Sequence, residues 1–127
     1  MYADMCRIPW NVEASEFARR IRAFHDDFRG IPLTVCPCSN IMLRVFPDMK
    51  SHNIRRLHEA GLCVTVNSDD PPYFGGYING NFAAIQAALG FTDTELWQLA
   101  RNGFTSAYLS DDPRSKYLDE LDRHRPE

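Results

Sequence analysis

Two adjacent carboxylates, Asp69 and Asp70, are the residues of this sequence best placed to do chemistry. They follow residues 62–66, an apolar run rich in β-branched side chains that predicts a buried strand. Pro71 and Pro72 come next and stop the strand. Burying a carboxylate is unfavourable unless a metal ion, a cation or hydrogen bonds compensate. The pair therefore indicates a functional site, and the alternative interpretation is a turn in which an aspartate caps a helix.

A second apolar run, residues 31–36, also ends in a polar cluster, which contains Ser39 and Asn40. Parallel strands that are buried on both faces have continuous apolar sequences of this kind. The C-terminal ends of parallel strands meet at one end of the sheet, and the active sites of α/β barrels are built there. We therefore expect Asp69 and Asp70 at the same end of the sheet as Ser39 and Asn40.

The segment between the two runs, residues 51–61, predicts a helix. Ser51 can cap its N-terminus, apolar residues recur at helical spacing, and Gly61 suits the position after the last turn. A strand, a helix and a second strand within about thirty residues match the size of a right-handed crossover between parallel strands.

The spacing of apolar residues predicts several further helices and a loop. Residues 11–29 predict a helix with an apolar face of phenylalanine and isoleucine, and residues 41–50 predict an apolar loop that covers part of the molecule. A later helix should bury Phe82, Ile85 and Leu89. Residues 92–95 form a capping box that opens another helix, whose buried face should continue to Tyr108.

The motifs LTVCP and VTVNSDDP, at residues 33–37 and 64–71, resemble the last two strands of the adenosine/adenine deaminase family. The continuation YFGGY, at residues 73–77, resembles the adenine deaminase branch rather than the adenosine branch. The resemblance extends over roughly residues 31–110, and the SDDP segment followed by YFGGY is its most specific part.

The resemblance implies an α/β fold that is a partial (β/α)8 TIM barrel, namely the last two strands with their helices. Family members bind one zinc ion through three histidines and one aspartate. By resemblance Asp69 is that metal-binding aspartate, and Asp70 contacts the substrate, a purine base or nucleoside. The implied reaction is the hydrolytic deamination of adenine, with adenosine as the alternative substrate, and it releases ammonia. Zinc would lower the pKa of a bound water toward neutrality.

Other motifs of the family are absent from this sequence. It has neither the HxH motif of the first strand nor the histidine with its nearby glutamate, and no His-Gly dipeptide precedes the CP strand. None of the four histidines matches a family motif, so we predict structural roles for His25, His52, His58 and His124. No catalytic acid/base residue is assigned.

Length leads to the same interpretation. A complete barrel needs about 250 residues, and this chain has 127. We expect the C-terminal part of a deaminase that is inactive alone, whether a truncated frame, a fragment or half of a split enzyme with a complementary N-terminal chain. The alternative is a non-catalytic remnant, or an interaction module that folds only with a partner chain.

Composition excludes some classes of protein. The net charge of −3 argues against a nucleic-acid partner, and no apolar run is long enough for a membrane span. Without a signal-peptide core, and with four cysteines in no disulfide or zinc framework, the expected location is the cytoplasm. We divide the chain into an irregular lead and amphipathic helix (1–30), the deaminase part (31–110) and a C-terminal helical tail (111–127).

Overall fold

A computed structural model of the chain describes residues 30–127, together with four helical residues, Glu16, Arg19, Arg20 and Ala23. The predicted apolar face of residues 11–29 and His25 lie outside the described residues. The sheet has two parallel strands, β1 (Leu33–Val35) and β2 (Val64–Val66). In their register Leu33 lies opposite Val64, and Val35 lies opposite Val66.

Helices surround this strand pair over residues 30–127. They are, in chain order, α1 (Pro37–Met42), a 3-10 helix (Met49–Ser51), α2 (Ile54–Glu59), α3 (Pro71–Phe74), α4 (Ile78–Leu89), α5 (Asp93–Ser106) and α6 (Asp111–Arg123). The result is a mixed α/β arrangement in which α2 forms the crossover between the two parallel strands. Within this described part, no helix is long and apolar enough to cross a lipid bilayer.

The crossover helix is shorter than the sequence predicts. Ser51 does not cap it, because Ser51 ends the 3-10 helix, where its hydroxyl donates to the Asp48 carboxylate (2.8 Å), and Asn53 takes the N-cap position. α2 begins after Asn53, and it ends before Gly61, whose φ of +78° confirms the predicted glycine after the last turn. The prediction of two parallel strands joined by a helix is confirmed.

The core lies between β2 and the helices. Ile54 of α2, Val64 of β2, Ile85 of α4 and Leu99 of α5 are all 0% exposed. Val66 belongs to the same buried cluster, and Phe82 and Leu89 pack against it from α4 as predicted. Removing apolar side chains from water in this way is the main favourable term in folding.

The ends of α5 show where local sequence decides the fold and where it does not. The capping box is confirmed, since the Thr92 amide donates to the Glu95 carboxylate (2.8 Å) and the Glu95 amide donates to the Thr92 hydroxyl (3.2 Å). The extension of the buried face to Tyr108 is wrong, because Ala107 is in extended conformation and Tyr108 is fully exposed.

The predicted loop at residues 41–50 covers the molecule through Phe46 and through Met49, which is half-buried against the core. The Phe46 side chain is buried and lies 4.4 Å from the His52 ring, centroid to centroid. Met42, Leu43 and Val45 are exposed instead. The reason is that α1 already includes the first residues of this segment and ends at Met42, which turns the next residues outward.

Arg55 joins three helices. Its guanidinium donates to both oxygens of Glu95 at 3.1 Å and to the Leu89 carbonyl at 2.7 Å, and it lies 4.2 Å from the centroid of the Phe91 ring. The same contact holds the pKa of Glu95 well below its usual range, at about 2, chiefly through the hydrogen bonds from Arg55. A planar, two-pronged donor is needed for this arrangement.

We predict that Arg55→Lys lowers the free energy of unfolding by about 1–3 kcal/mol although charge is kept, because lysine cannot bond both carboxylate oxygens and Leu89 at once. The matched control is Arg123→Lys, since Arg123 pairs with Glu120 on the exposed surface and should change stability by less than about 0.5 kcal/mol. Chemical denaturation of both variants measures the difference, and equal effects would contradict it.

Candidate functional site

The polar ends of the two strands lie together, as the sequence predicts. The hydroxyl of Ser39, in the helix that follows β1, donates a 2.8 Å hydrogen bond to Oδ2 of Asp69, which follows β2. Ser39 is 1% exposed, so this donor is fixed inside the protein while the carboxylate it contacts is exposed. The placement of Asp69 beside Ser39 is therefore confirmed.

The two carboxylates are less buried than the sequence suggests. Asp69 and Asp70 are both exposed, because the chain leaves the sheet directly after Val66. Asp69 has a φ of +58°, the left-handed region that a residue other than glycine seldom adopts. Such backbone conformations cost free energy and cluster at functional sites.

Asp70 does not do what the turn interpretation requires. It is the N-cap residue of α3 by backbone position, but its side chain makes no capping hydrogen bond. The helix instead gains from Pro71, which suits the first helical position because it has no amide hydrogen to satisfy. The Asp70 carboxylate is thus available for a contact outside the described part of the chain.

Cys36 lies next to this pair of carboxylates. Burial raises the pKa of its thiol above the usual value, and the negative charge of Asp69 raises it further. Cys38, two residues on, has its pKa raised by burial alone. Both are free cysteines that stay protonated near neutral pH, as expected for thiols that pack rather than react.

His52 is buried behind the site with one defined tautomer. Its Nδ1 accepts a 3.1 Å hydrogen bond from the Ile54 amide, so the ring proton sits on Nε2, which donates to Oδ1 of Asn40 at 3.0 Å. Burial lowers the pKa of His52 to about 4. This neutral, hydrogen-bonded ring supports the structural role predicted for His52.

The other described histidines lie apart from Asp69. His58 packs near the Phe91 ring and 4.0 Å from Glu95, and His124 is exposed just after the end of α6. From residue 30 onward, no three histidine, cysteine, aspartate or glutamate side chains converge on a point that could hold a metal ion. A zinc site in a protein needs three or four such ligands. The described residues alone therefore do not fit zinc, and they supply at most one carboxylate ligand through Asp69.

Sequence reasoning missed Asn81. This residue of α4 is 0% exposed, its Oδ1 accepts from the Cys38 amide (2.9 Å), and its Nδ2 donates to the carbonyls of Gly76 (3.2 Å) and Tyr77 (3.1 Å). The available signal was its position four residues before Ile85, on the apolar face of the helix. A polar residue there must find partners or destabilise the fold.

The neutral state of His52 predicts a pH dependence of stability. A histidine in the unfolded chain takes up a proton below about pH 6.5, whereas folded His52 stays neutral until about pH 4. Stability is therefore full above pH 6.5 and falls as pH drops toward 4, by up to about 3 kcal/mol.

His52→Asn should remove most of that slope between pH 6.5 and 4.5, because asparagine does not titrate. His124→Asn is the control, since His124 is exposed and should leave the slope intact. Urea denaturation at a series of pH values measures both variants. A slope that persists in His52→Asn would show that other groups cause it.

Comparison with known proteins identifies relatives of this arrangement. The family model described as "Adenosine deaminase" matches residues 7–124. The adenine deaminase of Hahella chejuensis is 49% identical over 118 residues, which are 93% of this chain and 35% of that protein. The adenine deaminase of Albidiferax ferrireducens is 55% identical over 91 residues, which are 72% of this chain and 26% of that protein.

Solved structures also match this chain over only part of their own length. The crystal structure of an adenine deaminase from Arthrobacter aurescens superposes with a TM-score of 0.74 at 37% identity, over 87% of this chain and 32% of that one. An amidohydrolase from Burkholderia ambifaria, with bound zinc, has a TM-score of 0.71 at 23% identity over 87% of this chain and 30% of its own, and shows a likeness of fold. The chain thus spans about a quarter to a third of the length of these relatives, and its strand pair matches part of their structures.

Proposed function

Since the chain belongs to the adenosine deaminase family, we propose that it contributes the Asp69–Asp70 part of a zinc-dependent enzyme that hydrolytically deaminates a purine, and that this purine is adenine rather than adenosine. In this proposal β1 and β2 are the last two strands of a (β/α)8 barrel. The observation that carries it is the exposed Asp69 carboxylate at the C-terminal end of β2. This carboxylate accepts a hydrogen bond from Ser39, which lies in the helix directly after β1. Identity of 49% to an adenine deaminase supports the choice of base.

Asp69 is suited to be one ligand of the metal. Ser39 occupies Oδ2, and within the described residues Oδ1 has no hydrogen-bond donor. An exposed carboxylate oxygen with a fixed neighbour can bind zinc without reorganising the strands. When bound, zinc would supply an activated water, and the other ligands would come from residues that the described part of this chain does not contain.

Asp70 is suited to orient the base. Its carboxylate is exposed next to Asp69 and is not used to cap α3. A carboxyl group at this position can hydrogen-bond a ring nitrogen of a purine and so fix which carbon faces the attacking water. The chain's own contribution is then binding and orientation, while proton transfer depends on groups supplied elsewhere.

The missing zinc ligands and proton-transfer groups would come from another stretch of polypeptide. The outer edge of β2 offers a surface on which that polypeptide could bind. The backbone hydrogen bonds to β1 involve Cys63 and Asn67. In a parallel pair, the backbone groups of alternate residues face opposite edges, so the amide and carbonyl groups of Val64 and Val66 face the edge away from β1. The Val64 carbonyl accepts from the Asn102 side chain (2.8 Å). Beside Val66 lies an apolar groove of about 400 Å³. Within the described residues no strand pairs with this edge, and an edge strand next to an apolar groove is suited to an added strand, which would replace the Asn102 contact at Val64.

The same surface favours a second candidate function. The chain would then be an interaction module that pairs with another polypeptide through the β2 edge and performs no chemistry. The lack of a three-donor group among the described residues favours this candidate for the chain in isolation. The two functions differ in whether Asp69 contributes to metal binding once the partner is present.

We predict that the purified chain, given adenine and excess zinc, releases no ammonia above background. The reason is that one carboxylate cannot hold a catalytic zinc ion, and the sequence has no glutamate at the acid/base motif position. An enzyme-coupled ammonia assay measures this. Turnover that survives metal repletion and disappears in Asp69→Ala would contradict the prediction.

We also predict that zinc strengthens the association between this chain and the N-terminal two thirds of the Hahella chejuensis adenine deaminase, because the metal ligands would then come from both chains. Asp69→Asn should reduce the strengthening by at least about tenfold, since even outer-shell changes cost 10–100-fold in metal affinity. Asp119→Asn, on the exposed surface of α6, is the control. Calorimetric titration with and without zinc measures the effect.

Association that is equally strong without zinc, and in Asp69→Asn, would favour the interaction module. Lack of any association would count against both candidates. A zinc-dependent gain that Asp119→Asn reproduces would show that surface charge, and not ligation by Asp69, causes it.

A further inference from the structure

Asn81 connects the two segments that flank the carboxylates. All three of its side-chain hydrogen bonds go to backbone groups there, one to the Cys38 amide in the first turn of α1 and two to the carbonyls of Gly76 and Tyr77, just after α3. A buried amide with its oxygen and nitrogen both bonded contributes to a single arrangement, since any displacement leaves a buried polar group unpaired.

Gly76 allows the two segments to approach this closely. A Cβ atom added to Gly76 would lie 3.2 Å from Sγ of Cys38 and 3.5 Å from Nδ2 of Asn81. The first distance is tighter than most Cβ contacts and the second is an ordinary van der Waals contact, so a side chain at this position would require Cys38 to shift by a few tenths of an ångström. The glycine therefore leaves room for the close approach of α1 to the turn.

The contacts of Asn81 continue to Asp69 through one residue. Cys38, which Asn81 binds through its backbone, directly precedes Ser39, whose hydroxyl donates to Asp69. On the other side, Gly76 and Tyr77 follow α3, the helix that begins immediately after Asp70. The carboxylates thus lie between two segments whose backbones are joined by the hydrogen bonds of the Asn81 side chain.

We propose that Asn81 is a positioning residue, which fixes α1 against the turn at Gly76 and thereby sets, through Ser39, the direction of the Asp69 carboxylate. The proposal rests on the proposed function only in assigning Asp69 the role of a zinc ligand. The coupling itself is a property of the chain without metal or substrate.

The test is the carboxyl 13C chemical shift of Asp69, measured by NMR in the full chain without metal. Ser39→Ala provides the reference, because it removes the hydrogen bond directly. We expect Asn81→Ala to move the Asp69 resonance in the same direction as Ser39→Ala and by at least half as much. Asn79→Ala, an exposed site on the same helix, should leave it in place.

A merely structural role would lower the melting temperature in Asn81→Ala and leave the Asp69 resonance unchanged, which would overturn the proposal. Should Asn81→Ala fail to fold, Asn81→Asp gives the same answer, because it keeps an acceptor for the Cys38 amide and loses both donors. A smaller shift of Asp69 in the same direction supports the proposal, and an unchanged resonance overturns it. Failure of the zinc experiment leaves this result unaffected.

Discussion

The parallel pairing of β1 with β2 is the constraint on which the rest of the structure depends. It brings the segments after both strands to one end of the sheet, where the Ser39 hydroxyl binds the Asp69 carboxylate at 2.8 Å. An antiparallel pair would place them at opposite ends, and no local sequence preference could then restore the contact. Everything proposed for this adenosine deaminase family member, from metal ligation to the role of Asn81, requires that geometry.

Sequence reasoning succeeded where a pattern has one physical solution. The strand–helix–strand order, the capping box at Thr92 and the glycine after α2 follow from periodicity and backbone preference, and the structure confirms them. The family resemblance is likewise confirmed by a match over residues 7–124. The roles of Asp69 and Asp70 stay predictions, because the partners that would define those roles lie outside the described residues.

Prediction from the sequence failed where the structure depends on competition between neighbouring groups. Ser51 could have capped α2, but its hydroxyl donates to Asp48 in a separate 3-10 helix, and Asn53 takes the N-cap position instead. Tyr108 continues the apolar pattern of α5, yet the helix ends two residues earlier. The position of Asn81 on the apolar face of α4 indicates burial, but its bond to the Cys38 amide, 43 residues away in the sequence, could not be predicted from spacing.

The most direct test of the account is a crystal structure of this chain bound to the N-terminal two thirds of an adenine deaminase, with zinc located by its anomalous scattering. The account predicts zinc with an Asp69 oxygen at about 2.0–2.2 Å, the distance of a carboxylate ligand. It also predicts that the Ser39 bond to the other oxygen is retained. A zinc ion bound by four ligands without Asp69, or a complex in which no strand of the partner pairs with the β2 edge, would contradict it.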